Sequence, residues 1–140
     1  MSGIFNKIFA ANLDKLDEIT EFVEECADHF GLEAKQKFGL LVALEEAFVN
    51  ICSYAYPNHV GMVEVTCHAD ADADFFVLEI SDSGSPFNVL SLPDPDISLD
   101  IEDRDIGGLG VYFIRRMTDE VSYSRQHDKN VLRLVLNRTS

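Results

Sequence analysis

Residues 41–57 read LVALEEAFVNICSYAYP, and this stretch places one long apolar helix near the middle of the chain. Apolar side chains recur every three or four residues, which predicts a helix over about residues 33–55 that stops before Pro57. Such a helix needs a sheet or another helix to cover its apolar side. The stripe that we expect to face a sheet consists of Leu41, Leu44, Phe48, Ile51 and Ala55.

Five strands and two further helices are predicted around this helix. The first helix runs to about Phe30, is capped by Asn12 or Asp14, and ends at Gly31. The third helix covers about residues 108–118. The predicted strands, which include two hairpins, are 4–10, 62–69, 75–81, 120–126 and 131–137, with a polar turn at 70–74.

The order of these elements favours an α+β fold. Hairpins outnumber alternating strand–helix units, so we expect a mixed, mainly antiparallel sheet with helices on one face, that is, a two-layer α/β sandwich. The chain has 140 residues, of which 46% are hydrophobic. This size suits one domain with its own core, spanning residues 1–140.

The chain is acidic, with a net charge of −14 at neutral pH. Affinity for nucleic acid depends on clustered Lys and Arg at the phosphates, whereas the 11 basic residues here are scattered along the chain. We therefore expect no nucleic-acid binding and no attraction to an anionic membrane. Basic patches on a protein partner would instead be attracted.

Nothing in the sequence predicts export or membrane insertion. No apolar run approaches the roughly 20 residues of a membrane span, and the N-terminus up to Asp14 makes a poor signal peptide. The three cysteines are an odd number without a CxxC pair, which suits a reducing compartment and argues against a zinc site. These features predict a cytoplasmic protein.

The first group with chemical potential lies on the central helix. Glu46 and Asn50 are four residues apart and share a helix face, which we expect to lie opposite the apolar stripe. The amide oxygen of Asn50 could hold a hard cation such as Mg²⁺, and the carboxylate of Glu46 could orient or deprotonate a hydroxyl or a water. Taken alone, such a pair is more typical of an ordinary solvated helix face.

The second group follows a strand, in residues 78–88, which read LEISDSGSPFN. Asp82 at the strand end can accept a hydrogen bond from an exocyclic amine, and Gly84 lets the backbone approach a flat ligand. Taken alone, these residues are more typical of a simple turn.

The third group, Gly107, Gly108, Leu109 and Gly110, opens the third helix. Free N–H groups and the helix dipole favour an anion there. The pattern is not a Walker loop, because no Lys-Ser/Thr follows, and it lacks the context of a dinucleotide fold. By itself it is a weak signal.

Taken together, in this order and spacing, the three groups resemble the N, G1 and G2 boxes of the GHKL ATPase superfamily, which includes gyrase, histidine kinases and mismatch-repair ATPases. Within it, this short chain resembles the anti-sigma-factor serine/threonine kinases. The strings LVALEEAFVNICSYAYP, LEISDSGSPFN and GGLGVYFIRRMTDEVSYSR carry the resemblance, which covers residues 4–137. It implies the Bergerat, histidine-kinase-like fold, with ATP and Mg²⁺ as cofactors.

The resemblance also implies roles for individual residues. Asn50 corresponds to the asparagine that coordinates Mg²⁺, and Glu46 to the glutamate proposed as general base. Asp82 corresponds to the aspartate that binds the adenine amine, and Gly84 to the first glycine of the turn beside it.

Further correspondences lie in the second half of the chain. Gly108 and Gly110 match the glycines that cradle phosphate, beneath an ATP lid that matches residues 92–106. Arg104 is the only cation in this lid, and it either contacts phosphate or pairs with the neighbouring acids. Pro86–Phe87 stands where the wider superfamily often has another glycine, a form found in the anti-sigma-like branch.

The activity that the resemblance implies is that of an ATP-dependent serine/threonine protein kinase. It would phosphorylate an anti-anti-sigma partner of the STAS type and otherwise hold a sigma factor, and such kinases are often homodimers. Two alternatives stay open. One is a nucleotide-binding, partner-switching module without phosphotransfer, and the other is a related switch kinase whose target is not a sigma regulator.

Overall fold

A computed structural model describes residues 3–69, 75–91 and 114–137 of the chain. The strands in these ranges are β1 at Gly3–Ala10, β2 at Met62–Ala69, β3 at Phe75–Asp82, β4 at Glu120–Gln126 and β5 at Lys129–Asn137. They form one sheet in the order β1-β2-β3-β5-β4, and each neighbouring pair is antiparallel. The predicted hairpins are confirmed, and β1 lies at an edge of the sheet.

One of the two predicted caps starts a short 3₁₀ turn that precedes the first α-helix, whose own N-cap residue, Lys15, makes no side-chain capping hydrogen bond. The side-chain oxygen of Asn12 accepts a hydrogen bond from the backbone N–H of Asp14 at 3.1 Å, which caps a short 3₁₀ turn at Leu13–Lys15. Helix α1 follows at Leu16–His29. Gly31 then takes a φ of 78°, a conformation that favours glycine and ends the helix.

The central helix has the predicted extent but not a uniform geometry. Helix α2 spans Ala34–Asn50 and continues directly into a π-helical turn at Ile51–Ala55. Such turns are rare and occur frequently at functional sites. The spacing of apolar residues in the sequence does not reveal the π-helical turn, because a single wider turn leaves that spacing almost unchanged.

The buried side of α2 is broader than the stripe predicted from periodicity. Leu44, Phe48, Ile51 and Ala55 are buried as expected, whereas Leu41 is only half-buried. The other buried residues of the helix are Gly39, Leu40, Ala43, Ala47 and Asn50.

Asn50 is therefore buried and is not part of an ordinary solvated helix face. Helix α2 packs against α1 and against Met117 as well as against the sheet, so more than one side of it is covered. A Cβ at Gly39, for example, would lie 3.1 Å from the Cβ of Met117. Glu46, four residues before Asn50, is half-buried.

By length and composition alone, the helical segment Ala34–Ala55 could also cross a membrane, since its mean hydropathy is 1.4. In the sequence the segment does not stand out as one continuous apolar run, because charged residues interrupt it. Half of the 18-residue apolar stretch within this segment is buried inside the fold. Packing of the segment in the protein core accounts for its apolar composition.

The helices cover one face of the sheet and share a single core with it. The central core residues include Ile19, Val23, Leu44, Phe48, Val65, Leu78 and Leu134. The opposite face carries polar pairs, such as Asn6 with Glu64 at 3.1 Å. This arrangement is the predicted two-layer α/β sandwich.

Some expectations lie outside the described residues. They are the polar turn at 70–74, the ATP lid at 92–106 with Arg104, and the glycine run with Gly108 and Gly110. Of the third helix expected at 108–118, residues 114–118 are described, and 114–117 are helical.

Candidate functional site

Three polar side chains are buried in the part of the chain that the structure describes. Asn50 is 3% exposed, and Asp82 and Asn130 are each 4% exposed. Burial of a polar group is costly unless the group is hydrogen-bonded, so such positions indicate a candidate site. Asn50 and Asp82 were predicted from the sequence, whereas Asn130 was not.

Asp82 ends β3 and lies opposite Asn130 of β5 in the sheet. Its Oδ1 accepts two hydrogen bonds at 2.9 Å, one from the backbone N–H of Gly84 and one from Nδ2 of Asn130. Its Oδ2 accepts none from the described residues and is left for a ligand. Burial raises the pKa of the carboxyl, while these hydrogen bonds and the charge of Arg125 oppose the rise.

Asp82 and Asn130 line a cavity of about 20 Å³, room for about one water molecule, whose other walls are largely apolar. These walls come from α2, from the inner face of the sheet and from the loop after β3. The chemistry of this lining, apolar walls beside a carboxylate, suits an aromatic ring that carries an amine, but the walls would have to move apart to admit one. The other lining residues are Ala47, Ile51, Ile80, Phe87, Val89, Tyr123 and Leu132.

The turn after Asp82 is fixed to the end of the central helix. The backbone N–H of Ser85 donates to the carbonyl of Ala55 at 2.9 Å. Gly84 lies so close to Ala55 that a Cβ at this position would overlap its carbonyl group. The glycine is therefore required by packing of the turn against the helix, and its role toward a ligand stays a prediction.

Tyr56 connects the same turn to the start of β2. Its hydroxyl donates to the carbonyl of Met62 and accepts from the backbone N–H of Ser83, both at 2.8 Å. The side chain is buried, and burial raises the pKa of the hydroxyl. The ring fills the space beside Gly61, where any Cβ would overlap it.

Phe87 forms one wall of the cavity and is covered from outside by Tyr54. The two rings stack with centroids 4.7 Å apart and planes inclined by 23°. Stacking of this kind adds to the stability of the wall. Phe87 thus has a packing role at the position where the wider superfamily often has glycine.

Asn130 joins the loop to β3 and β4. Its Nδ2 donates to Oδ1 of Asp82 at 2.9 Å and to the carbonyl of Ser85 at 2.8 Å. The donors to its Oδ1 are the N–H of Phe87 at 3.2 Å, the hydroxyl of Tyr123 at 2.6 Å and the guanidinium of Arg125 at 3.2 Å. All of its polar atoms are therefore engaged inside the protein.

The sequence feature that could have identified Asn130 is its place among the inward-facing positions of the strand. Strand β5 begins at Lys129, two residues earlier than predicted, so Asn130 lies within it. Asparagine is disfavoured in strands and rarely buried, so an inward-facing asparagine indicates a specific polar role. The buried leucines that alternate with it are Leu132, Leu134 and Leu136.

Asn50 has an amide oxygen available on the buried side of α2. Its Nδ2 donates to the carbonyl of Glu46 at 2.7 Å, and its Oδ1 accepts no hydrogen bond from the described residues. An oxygen in this state fits a hard cation such as Mg²⁺. Within the described ranges no group of three or more His, Cys, Asp or Glu could hold a metal ion.

Glu46 and Glu45 differ in their surroundings. Glu46 is half-buried, and Glu45 is exposed. Burial raises the pKa of Glu46, and the neighbouring charge of Glu45 adds to the rise. A carboxylate with a raised pKa is a better proton acceptor at neutral pH.

The predicted phosphate end of the site, with Gly108, Gly110 and Arg104, lies outside the described residues. The helical turn at 114–117 packs on the loop that forms the cavity. The guanidinium of Arg115 donates to the carbonyl of Leu90 at 2.9 Å.

The chain matches known proteins over most of its length. A family model described as a histidine kinase-like ATPase domain matches residues 9–136. The chain is 28% identical over 102 residues to the serine/threonine-protein kinase BtrW of Bordetella bronchiseptica, covering 72% of this chain and 70% of that protein. It is 27% identical over 110 residues to the serine-protein kinase RsbW of Bacillus mycoides, covering 76% and 68%. With its antiparallel sheet covered by helices on one face, the chain belongs to the histidine kinase-like ATPase domain family.

Proposed function

We propose that this protein is an ATP-dependent serine/threonine protein kinase that acts as an anti-sigma-factor-type regulator. The observation that carries the proposal is the apolar cavity with the available Oδ2 of Asp82, next to the part of α2 that holds Asn50 and Glu46. The names of the two kinases to which the chain is similar support the reaction class. ATP and Mg²⁺ are the proposed cofactors.

At the base end, Asp82 would accept a hydrogen bond from the exocyclic amine of adenine, and the apolar walls would enclose the ring. The turn at Gly84 would set the position of this carboxylate, because it is anchored to Ala55 and Tyr56. The hydrogen bonds of the described residues hold Asp82 and its turn in place, while the cavity beside them, at about 20 Å³, would have to open to admit the ring.

At the phosphate end, Oδ1 of Asn50 would hold Mg²⁺. The metal ion, when bound, would supply positive charge that offsets the negative charge of the phosphates. Gly108 and Gly110 would cradle the phosphates with backbone N–H groups, and Arg104 would add a guanidinium contact.

Glu46 would act as general base. It would accept the proton of a serine or threonine hydroxyl on the partner while that oxygen forms a bond to the γ-phosphorus. The bond from phosphorus to the β–γ bridging oxygen breaks, so the products are the phosphorylated partner and ADP. The raised pKa of Glu46 favours its holding the proton.

The proposed partners are an anti-anti-sigma protein of the STAS type, which accepts the phosphate, and a sigma factor. Exposed acids on α1 offer a surface for basic patches on a partner. These acids are Asp17, Glu18, Glu21, Glu24, Glu25 and Asp28. A cytoplasmic location and a homodimer complete the proposal, on the basis of the resemblance to anti-sigma kinases.

A phosphotransfer assay tests the proposal directly. The purified protein is incubated with γ-labelled ATP, Mg²⁺ and the candidate regulators encoded beside its gene. We expect label on a serine or threonine of a STAS-type protein, and nucleotide-dependent retention of a sigma factor. ATP binding without transfer would favour the partner-switching module, transfer to a different regulator would favour the related switch kinase, and absence of ATP binding would refute all three.

A further inference from the structure

We propose that Asn130 selects the base, because it decides which hydrogen-bonding group residue 82 presents to the cavity. This inference rests on the proposed nucleotide site and assigns a role to a residue outside the three sequence groups. Asn130 is a positioning residue: its own polar atoms are engaged inside the protein, and it acts through Asp82.

The orientation of the Asn130 amide is fixed by two backbone groups. The carbonyl of Ser85 can only accept, so it must face Nδ2, which lies 2.8 Å away. The N–H of Phe87 can only donate, so it must face Oδ1, at 3.2 Å. Turning the amide over would oppose donor to donor and acceptor to acceptor in a site with 4% exposure, which is strongly unfavourable.

Strand β4 holds the same orientation from the other side. The hydroxyl of Tyr123 and the guanidinium of Arg125 both lie against Oδ1 of Asn130. The guanidinium also donates to the carbonyl of Gly84 at 2.9 Å, which ties the turn to the same group. The hydrogen bonds from the loop after β3 and those from β4 therefore fit the same orientation of the Asn130 amide.

The consequence for Asp82 is that it offers one acceptor rather than two. Both hydrogens of the Asn130 Nδ2 are used, one on Ser85 and one on Oδ1 of Asp82. Gly84 donates to the same Oδ1, so this oxygen has no capacity left. Among the side-chain polar atoms of Asp82 and Asn130, which both line the cavity, Oδ2 of Asp82 is the one that makes no hydrogen bond with the described residues.

A single acceptor distinguishes the two purines. Adenine carries an amine at C6, which can donate to Oδ2 of Asp82. Guanine carries a carbonyl at C6, which an acceptor repels. Its neighbouring N1–H and N2–H pair requires both oxygens of a carboxylate, and Asn130 and Gly84 occupy one of them.

The same two donors would reverse the preference of an Asp82→Asn variant. Gly84 and Asn130 both require an acceptor at the inner position, so the new side chain must turn its oxygen inward. Its NH₂ group then faces the cavity, where it can donate to the C6 carbonyl of guanine and where it opposes the amine of adenine.

Calorimetry with ADP and GDP, in the presence of Mg²⁺, tests this relationship. The proteins are wild type, Asp82→Asn, Asn130→Val and the double variant, with Asn6→Val on the opposite sheet face as a control. We expect wild type and control to prefer ADP by about 100-fold or more. Asp82→Asn should lose about 100-fold in ADP affinity and gain about 10-fold in GDP affinity, and the double variant, in which Gly84 alone orients the new amide, should lose most of that gain.

Two results would overturn the inference. In one, Asp82→Asn binds GDP no better than wild type does, and in the other, the double variant binds GDP as well as Asp82→Asn. Absence of ADP binding by the wild type would refute the proposed function itself, so the two failures are distinguishable. Urea unfolding monitors each variant, and Asn130→Ser, which is small and polar, replaces Asn130→Val if the latter does not fold.

Discussion

Nδ2 of Asn130 lies 2.9 Å from Oδ1 of Asp82, across the antiparallel pair of β3 and β5. The hydrogen bond joins the residue with the clearest sequence signal for base recognition to a strand that the sequence marks only as structural. Together with the N–H of Gly84, it leaves one carboxylate oxygen available. The pH dependence due to Asp82, the packing of the turn at Gly84 and the phosphotransfer role proposed for Glu46 can each be measured.

Glu46→Gln should retain nucleotide binding and lose most of the phosphotransfer activity, by about 100-fold or more. The amide keeps the size of the side chain but cannot accept the hydroxyl proton. Glu45→Gln is the matched control, because Glu45 is the exposed neighbour of Glu46. Initial rates with labelled ATP compare the two, and a larger loss in Glu45→Gln would show that the base has been assigned to the wrong glutamate.

Gly84→Ala should weaken ADP binding by at least about 10-fold and lower the free energy of unfolding by about 1–3 kcal/mol, because the new Cβ overlaps the carbonyl of Ala55. Gly31→Ala is the control. Its φ of 78° strains any other residue, by about 1–2 kcal/mol, but no atom lies within 4 Å of the new Cβ. Its ADP affinity, measured by calorimetry, should be unchanged. Equal ADP affinity in both variants would show that Gly84 does not belong to the nucleotide site.

Asp82→Asn should make the ligand-free protein more stable at pH 7, by about 0.5–2 kcal/mol. Burial raises the folded-state pKa of Asp82 above its unfolded value, so keeping it ionised costs stability above that raised pKa. The cost is relieved as the pH falls through the folded pKa, and the advantage of the variant should therefore shrink toward acid pH.

Urea unfolding between pH 7 and pH 5 measures this dependence. Asp17→Asn, on the exposed side of α1, is the control and should change stability by less than about 0.5 kcal/mol. If wild type is the more stable protein at pH 7, the hydrogen bonds to Asp82 outweigh its burial.

Tyr56→Phe should lower the free energy of unfolding by about 1–3 kcal/mol and weaken ADP binding, because it removes hydrogen bonds to Met62 and Ser83. Tyr54→Phe is the control, since it keeps the ring that stacks on Phe87. Urea unfolding and calorimetry separate the two variants. Similar behaviour of both would mean that the Tyr56 hydroxyl does not position the turn after β3.

The sequence by itself determined the order of the elements, the two hairpins and the positions of Glu46, Asn50 and Asp82 in them. These inferences depend on spacing and turn chemistry within short segments, and such features are local. The cap at Asn12 and the helix end at Gly31 were predictable for the same reason.

The tertiary structure alone decided which polar groups are buried and what they contact. Asn130 meets Asp82 only because β5 pairs with β3 in one register, and residues 48 positions apart cannot reveal that register through local periodicity. Asn50 is buried because α2 is covered on more than one side, and Gly84 is required because the turn packs on the carbonyl of Ala55. Each of these outcomes depends on contacts between segments distant in the chain, which local sequence patterns do not specify.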